Sequence, residues 1–113
     1  MEKLLEGKCE ACKADAPLVT ADEKKELMPQ IPGWNIIEVD GIEQLTCSFA
    51  FKDYLSALNF VNQVANLAEE EDHHPEIVLE WGKVTVSWWS HKIKGLHKND
   101  LIAAAKTDFL FSE

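Results

Sequence analysis

Hydrophobic and polar positions alternate along this chain with two different periods, and each period is typical of a different element. Between Leu45 and Phe51 every second residue is apolar, which is the period of a strand with one buried face. Between Tyr54 and Ala68 the apolar residues recur every three or four positions, as on a helix that covers a sheet. These patterns predict a strand and, directly after it, a long helix with a broad apolar face.

Capping and turn signals set the limits of the other elements. Thr20 and Glu23 match a capping box, in which each side chain accepts a hydrogen bond from the other residue's free N–H, and Pro29 stops the helix that follows. Asp40 and Gly41 are typical of a tight hairpin turn, because such a turn needs positive φ. The predicted elements are, in chain order, helix 20–28, strands 34–39 and 43–51, helix 53–72, strands 77–80 and 84–89, and helix 99–110.

Two hairpins separated by a long helix indicate the fold class. The order α-β-β-α-β-β-α predicts an α+β domain with one four-stranded, mostly antiparallel sheet and helices on one face. We expect this domain to span residues 20–113, with residues 1–19 as an N-terminal arm. A chain of 113 residues is long enough to bury one hydrophobic core.

The charge balance argues against some classes of partner. Eleven Lys and Arg residues against twenty Asp and Glu residues give a formal net charge of -9. That sign disfavours direct binding of nucleic acid, which depends on basic residues that neutralise phosphates, and of an anionic membrane surface. The sequence shows neither a secretory signal nor an apolar run long enough for a membrane span. We therefore expect a cytoplasmic protein whose cysteines are reduced.

The cysteines leave one question open. Cys9 and Cys12 form a CxxC pair, but a zinc site normally needs two more ligands, and no second CxxC is present. The pair lies in the polar arm, so it has either no function in the domain or a metal or redox role. Cys47 falls within the apolar strand pattern and is expected to be a small core residue.

All four histidines fall between positions 73 and 97. Pro75 forces His74 towards an extended conformation, and adjacent residues of an extended segment point in opposite directions. His73 and His74 are therefore not expected to chelate one metal together, although they can reach two parts of one ligand. If the last two strands form a hairpin, His91, which follows the second of them, meets both at one end of the sheet. We expect His97, further along the loop, at the surface.

Three histidines gathered at one place suit proton transfer, because an unperturbed imidazole titrates near pH ~6.5. Two alternatives stay open: three solvent-facing histidines, or a three-histidine zinc site. The acidic run 69–72 ends the long helix, where negative charge opposes the helix dipole. This run is either a solvated helix end or a group that favours the protonated form of a neighbouring histidine. Trp88 and Trp89 alternate faces, so at most one of them is expected at the site.

The spacing of these residues resembles a known family. The pattern consists of Glu69, His73-His74-Pro75, Trp81, His91, Gly95-Leu96 and Asp100. It is similar to the signature of pterin-4a-carbinolamine dehydratases, and the N-terminus is similar to that of bacterial members. The predicted element order also matches the family over residues 20–110. One departure is His97, where many members carry Ser or Thr as the cap of the last helix.

The resemblance implies a reaction. Aromatic amino-acid hydroxylases leave their tetrahydropterin with a hydroxyl group at C4a, and the dehydratase removes that group as water to give quinonoid dihydropterin. For tetrahydrobiopterin this step recycles the hydroxylase's cofactor. The resemblance implies that His73, His74 and His91 are the catalytic and pterin-binding residues. Our hypothesis is that His73 and His91 form the acid–base pair and that His74 mainly positions the ring. The pterin is the substrate, and neither a metal nor a further cofactor is implied.

The resemblance also implies supporting residues and partners. Glu69 and Pro75 belong to the motif, Trp81 is expected beside the pterin pocket, and Asp100 is expected to hold a histidine or a loop N–H. Members of the family are dimers or tetramers, so we expect a homodimer or homotetramer. Some members bind other proteins, including as coactivators. A non-catalytic binding or assembly module is therefore the alternative function, although a scaffold has no physical need for all three histidines.

Overall fold

The structure, a computed structural model, describes residues 3–7 and 17–112 and contains every predicted element. Two short 3₁₀ turns, Leu4–Glu6 and Met28–Gln30, add to the predicted set. The helices are α1 (Ala21–Leu27), α2 (Tyr54–Glu71) and α3 (Lys98–Ser112). The strands are β1 (Asn35–Val39), β2 (Ile42–Ala50), β3 (Glu76–Glu80) and β4 (Lys83–Trp88). None of the helices in the described part of the chain is both long and apolar enough to cross a membrane.

The four strands form one sheet in the order β1-β2-β4-β3, and all three neighbouring pairs are antiparallel. β1 and β2 are joined across Asp40 and Gly41, whose φ angles of 52° and 80° are those that the predicted tight turn needs. β3 and β4 form the second hairpin, and the β2–β4 pair joins the two hairpins. The predicted α+β class and the order of the elements are confirmed.

One face of the sheet carries the core. Its buried side chains occupy alternating positions on the two central strands. They are Leu45 and Phe49 on β2, and Val84, Val86 and Trp88 on β4. The opposite face of these strands carries hydroxyl groups, such as those of Ser48 and Thr85, which lie 3.1 Å apart. This alternation is the cause of the period-two pattern in the sequence, since a strand points successive side chains to opposite faces.

Helix α2 buries part of the broad apolar face that the sequence predicts. Its buried residues are Ala57, Phe60, Val64, Leu67 and Ala68. Tyr54, which was predicted to share the packed face, is 49% exposed because it lies at the first position of the helix, beyond the edge of the core. Asp53 caps this end of α2, since its side chain accepts a 2.7 Å hydrogen bond from the Ser56 N–H.

The described part of the N-terminal arm packs on the domain. Leu4 is buried beside α3, and its backbone N–H donates to the side chain of Gln30. Val19 donates a 2.8 Å backbone hydrogen bond to Leu96, so the end of the arm is tied to the loop that precedes α3. Cys9 and Cys12 lie outside the described residues.

Cys47 is half-buried and packs against the core, close to its predicted environment. Burial, together with the nearby charge of Asp108, raises the pKa of its thiol to about 11. Asp108 itself accepts a 2.8 Å hydrogen bond from the indole N–H of Trp34. Its pKa is raised by burial, and the bond from Trp34 opposes that rise. A thiol with so high a pKa is a packing group rather than a nucleophile at neutral pH.

Candidate active site

The predicted meeting of three histidines is confirmed. His73 and His74 precede β3, His91 follows β4, and the two strands pair antiparallel with Glu76 opposite Ser87. The antiparallel register therefore brings the start of β3 beside the end of β4. An open cavity of about 310 Å³ lies at this end of the sheet, and the residues that line it are Asp72, His73, His74, His91 and Lys92. That size is within the range of small-molecule sites.

The two histidines that follow α2, His73 and His74, point in different directions. Asp72 adopts a left-handed conformation with φ 49°, and the His73 N–H donates to the Ala68 carbonyl, as in a Schellman motif. Pro75 then keeps the chain extended, as the sequence predicts. The result is that His73 is buried at 6% exposure, whereas His74 is exposed.

His73 is held on two sides. Its Nε2 lies 2.6 Å from Oδ1 of Asp100, and its ring stacks on Trp88 with centroids 5.4 Å apart. Asp100 is fully buried, and its other oxygen accepts 2.9 Å hydrogen bonds from the Ser90 hydroxyl and the His97 N–H. Because Asp100 lies in the first turn of α3, the helix dipole also favours its negative charge. Asp100 thus holds both a histidine and a loop N–H, the two alternatives that the resemblance implies.

His74 forms the pair that explains the acidic end of α2. Its Nε2 lies 2.5 Å from Oε2 of Glu69, with both side chains largely exposed. The pair is ionic only when His74 is protonated, and solvent screens it strongly at this exposure. Glu69 is therefore unfavourable to the helix dipole but forms a close pair with His74, so this residue of the acidic run does more than solvate the helix end.

His91 presents an exposed ring beside the cavity. The ring stacks on Trp89 with centroids 4.4 Å apart and an interplanar angle of 29°. Backbone hydrogen bonds between Ser90 and Gly95 close the loop that carries it. The two adjacent tryptophans lie on opposite sides of the strand, as predicted, and neither of them lines the cavity. Each tryptophan stacks on a histidine, because Trp88 points to the core side where His73 is buried and Trp89 to the side of His91.

Two further expectations need correction. Trp81 does not line the cavity: it is 70% exposed in the β3–β4 turn, at the end of the hairpin away from the histidines. The reason is that six residues after Pro75 suffice to run the whole length of β3. His97 is half-buried rather than on the surface, and its Nδ1 accepts a 3.0 Å hydrogen bond from the Asn99 N–H. It therefore serves the start of α3 in place of the usual Ser or Thr.

Three further residues belong to this site: Asp72 and Lys92 line the cavity, and Ser90 is fully buried against Asp100. Ser90 and Lys92 were not predicted, and their only sequence signal is adjacency to His91. Asp72 was predicted only as a member of the acidic run 69–72. Within residues 3–7 and 17–112, no three His, Cys, Asp or Glu side chains form a group that could hold a metal ion.

Comparison with known proteins identifies a family and close relatives. Residues 17–110 match the family described as pterin 4 alpha carbinolamine dehydratase. A protein of Saccharophagus degradans is 56% identical over 98% of each chain, and one of Marinobacter nauticus is 57% identical over 98% of this chain and 100% of its own. A protein of Syntrophotalea carbinolica is 54% identical over 97% of this chain and 98% of its own. All three are named provisionally as pterin-4-alpha-carbinolamine dehydratases.

Two solved structures share the fold. A protein of Brucella melitensis, described as a transcriptional coactivator/pterin dehydratase, superposes with a TM-score of 0.74 at 35% identity, over 83% of this chain and 98% of its own. A pterin dehydratase-like protein, described as a RuBisCO assembly factor of the alpha-carboxysome, gives a TM-score of 0.61 at 23% identity. That second match covers 72% of this chain and 92% of its own, and at this identity it shows the fold alone.

Proposed function

The chain belongs to the pterin 4 alpha carbinolamine dehydratase family, and we propose that it removes water from a 4a-hydroxytetrahydropterin to give quinonoid dihydropterin. The observation that carries this proposal is the gathering of His73, His74 and His91 around one cavity. The reaction would return the pterin of an aromatic amino-acid hydroxylase to a form that a reductase can use. The enzyme is then a hydro-lyase whose pterin is a substrate rather than a resident cofactor.

The reaction needs one proton delivered and one removed. The C4a–O bond breaks as its hydroxyl takes a proton and leaves as water. The N5–H bond gives its electron pair to the new C4a=N5 double bond as the N5 proton leaves. The two proton transfers balance, so no oxidant or reductant takes part. Two groups with pKa values near neutrality suit this chemistry, and imidazole is the side chain whose ordinary pKa lies there.

We assign the removal of the N5 proton to His73. A carboxylate only accepts hydrogen bonds, so the contact with Asp100 assigns the proton of His73 to Nε2. This leaves Nδ1 as the basic atom of the neutral ring. The stack on Trp88 and the burial of the ring restrict its orientation. A base whose tautomer and plane are both fixed starts the reaction close to its productive geometry.

We assign delivery of the proton to the departing hydroxyl to His91. Among the described residues, no group hydrogen-bonds to its ring, so both ring nitrogens are available to a substrate. His74 differs, because Glu69 occupies its Nε2. We therefore propose that His74 mainly orients the pterin, with Glu69 fixing the imidazole in turn. In this assignment the base, His73, lies before β3 and the acid, His91, lies after β4. The two residues therefore approach the substrate from the two strand ends that meet at the cavity.

The direct test is a dehydration assay. Phenylalanine hydroxylase generates the 4a-hydroxytetrahydropterin, and ultraviolet absorbance follows its decay with and without this protein. We expect clear acceleration over the spontaneous reaction, because one acid–base pair typically contributes about 10²–10⁴-fold. Acceleration that disappears in the His73→Ala, His91→Ala double variant supports the proposal. Decay at the spontaneous rate with the wild-type protein contradicts it.

The alternative is a binding or assembly module without catalysis. The two proteins of known structure that share the fold are described as a transcriptional coactivator/pterin dehydratase and as a RuBisCO assembly factor. The buried His73–Asp100 pair favours the enzyme, because a binding surface needs no carboxylate that fixes the tautomer of a histidine beside a cavity. An inactive wild-type protein that still folds would favour the module.

A further inference from the structure

Trp89 holds a position that the dehydratase reaction leaves unexplained. Its indole is half-buried and packs against the core, yet one face of it carries the ring of His91 at 4.4 Å. The described residues that line the cavity are Asp72, His73, His74, His91 and Lys92, so Trp89 itself is not among them. Any effect of Trp89 on the reaction must therefore act through His91.

His91 needs such a support because nothing else in the described part of the chain fixes its ring. The side chain is exposed and receives no hydrogen bond from any described residue. An exposed side chain of this kind samples several rotamers, and only some of them place a ring nitrogen within hydrogen-bond reach of a substrate. The other two histidines have Asp100 and Glu69 as partners at Nε2.

The backbone on which the stack is built is itself fixed. Ser90 lies between the two rings, points the opposite way and is fully buried, with its hydroxyl donating to Asp100. Two backbone hydrogen bonds join Ser90 to Gly95. The segment that carries His91 is thus held at two points. Trp89 packs against the core, and the Ser90 hydroxyl donates to the buried Asp100.

We propose that Trp89 is a positioning residue that holds the His91 imidazole in the plane in which it faces the pterin. The proposal rests on the proposed function in so far as His91 transfers a proton. The aromatic stack takes the place of the hydrogen-bonding carboxylates that hold His73 and His74. It leaves both nitrogens of His91 free, which a carboxylate partner would not.

An NMR measurement tests the orientation without any substrate. An indole stacked on an imidazole shifts the ring protons of His91 by its ring current, and the His91→Ala variant identifies those signals. We expect Trp89→Leu to move them towards the values of an unstacked histidine, and Trp89→Phe to retain most of the shift. Phe51→Leu is the matched control, because Phe51 is a half-buried aromatic that packs against Phe60 and Phe111, away from the histidines. It should leave the His91 signals unchanged.

Kinetics then test the role. We expect Trp89→Leu to lower kcat by about 2- to 10-fold, with KM nearly unchanged. The reason is that the loss of one aromatic pair lowers the population of the productive His91 rotamer by about that factor. Trp89→Phe should restore most of kcat. In a His91→Ala background, Trp89→Leu should have no further effect, because the two changes remove the same interaction.

Three results would distinguish a failure of the proposed role of Trp89 from a failure of the proposed function. His91 signals that stay in place in Trp89→Leu would overturn the proposal, as would an equal loss of kcat in the presence and absence of His91. A wild-type protein that shows no dehydration would remove the proposed function instead, and the NMR signals would still decide whether Trp89 orients His91.

Discussion

The Nε2 atom of His73 lies 2.6 Å from Oδ1 of Asp100, although 27 positions separate the two residues in the chain. The pair joins the end of α2 to the start of α3, and His73 itself lines the cavity. Asp100 uses its second oxygen to hold the Ser90 hydroxyl and the His97 N–H. One buried carboxylate therefore organises His73, the loop that carries His91 and the first turn of the last helix.

Removing this carboxylate should affect both stability and activity. We expect Asp100→Ala to lower the free energy of unfolding by about 3–5 kcal/mol, because it leaves buried partners without an acceptor. Asp100→Asn should lose less stability, since it retains an acceptor oxygen, but should still lower kcat. Urea denaturation and the dehydration assay measure the two effects. The control is Glu69→Ala, where the lost pair is exposed and worth about 0–1 kcal/mol. A stable Asp100→Ala variant would contradict the organising role.

The three histidines should differ in their kinetic effects. We expect His73→Ala and His91→Ala to lower kcat, because each removes one of the two proton transfers. His74→Ala should mainly raise KM, and Glu69→Gln should do the same more weakly, because the pair orients the pterin. Steady-state kinetics of the four variants provide the check. Equal losses of kcat in all three histidine variants would refute this division of roles.

The Asp108 carboxyl should make a measurable contribution to the pH dependence of stability. Its pKa is raised in the folded protein, chiefly by burial, so the folded state keeps this proton to higher pH than the unfolded state does. Stability contributed by this group is therefore present at acid pH and lost as the pH rises through the raised pKa. Asp108→Asn keeps an acceptor for the Trp34 N–H and removes the charge. We expect the stability difference, variant minus wild type, to increase between pH ~4 and pH 7.

Urea denaturation of both proteins across that range measures the difference, in which contributions from other groups largely cancel. A difference that stays constant with pH would show that burial does not perturb Asp108. A difference that falls would mean that the hydrogen bond from Trp34 outweighs burial.

We expect the protein to form at least a homodimer. The sheet ends in two edge strands, β1 and β3, and both expose apolar side chains, such as Ile37 and Val78. Exposed edges with apolar residues favour pairing with a second chain, and a two-fold axis satisfies both copies equally. Sedimentation equilibrium should therefore give a mass of at least twice 12.8 kDa. A species of 12.8 kDa alone at micromolar concentration would contradict this expectation.

Much of the fold could be predicted because its signals are local. The capping box at Thr20, the Asp40-Gly41 turn and the period-two pattern of β2 each act within a few residues, and each is present in the structure. The meeting of the histidines was also predictable, since antiparallel pairing alone places the start of β3 beside the end of β4.

The features of the site that could not be predicted depend on contacts between residues far apart in the chain. The partners of Asp100 are set by how α3 returns over the sheet, which no local pattern encodes. Trp81 was expected near the pocket because its spacing from Pro75 belongs to the family motif, yet spacing along a strand carries it to the opposite end. The stack of His73 on Trp88 depends on the left-handed residue at Asp72, which directs His73 towards the core. The stack of His91 on Trp89 depends on the loop that Ser90 and Gly95 close.

We propose that the cavity bounded by three histidines is a dehydration site. The decisive measurement is the decay rate of a freshly generated 4a-hydroxytetrahydropterin in the presence of the wild-type protein and of His91→Ala at equal concentration. His91 is exposed and makes no hydrogen bond to a described residue, so this substitution should leave the fold intact. We predict rapid decay with the wild-type protein and a rate about 10²-fold or more lower with the variant. Equal rates for the two proteins would contradict the proposal that His91 and the cavity beside it carry out the dehydration.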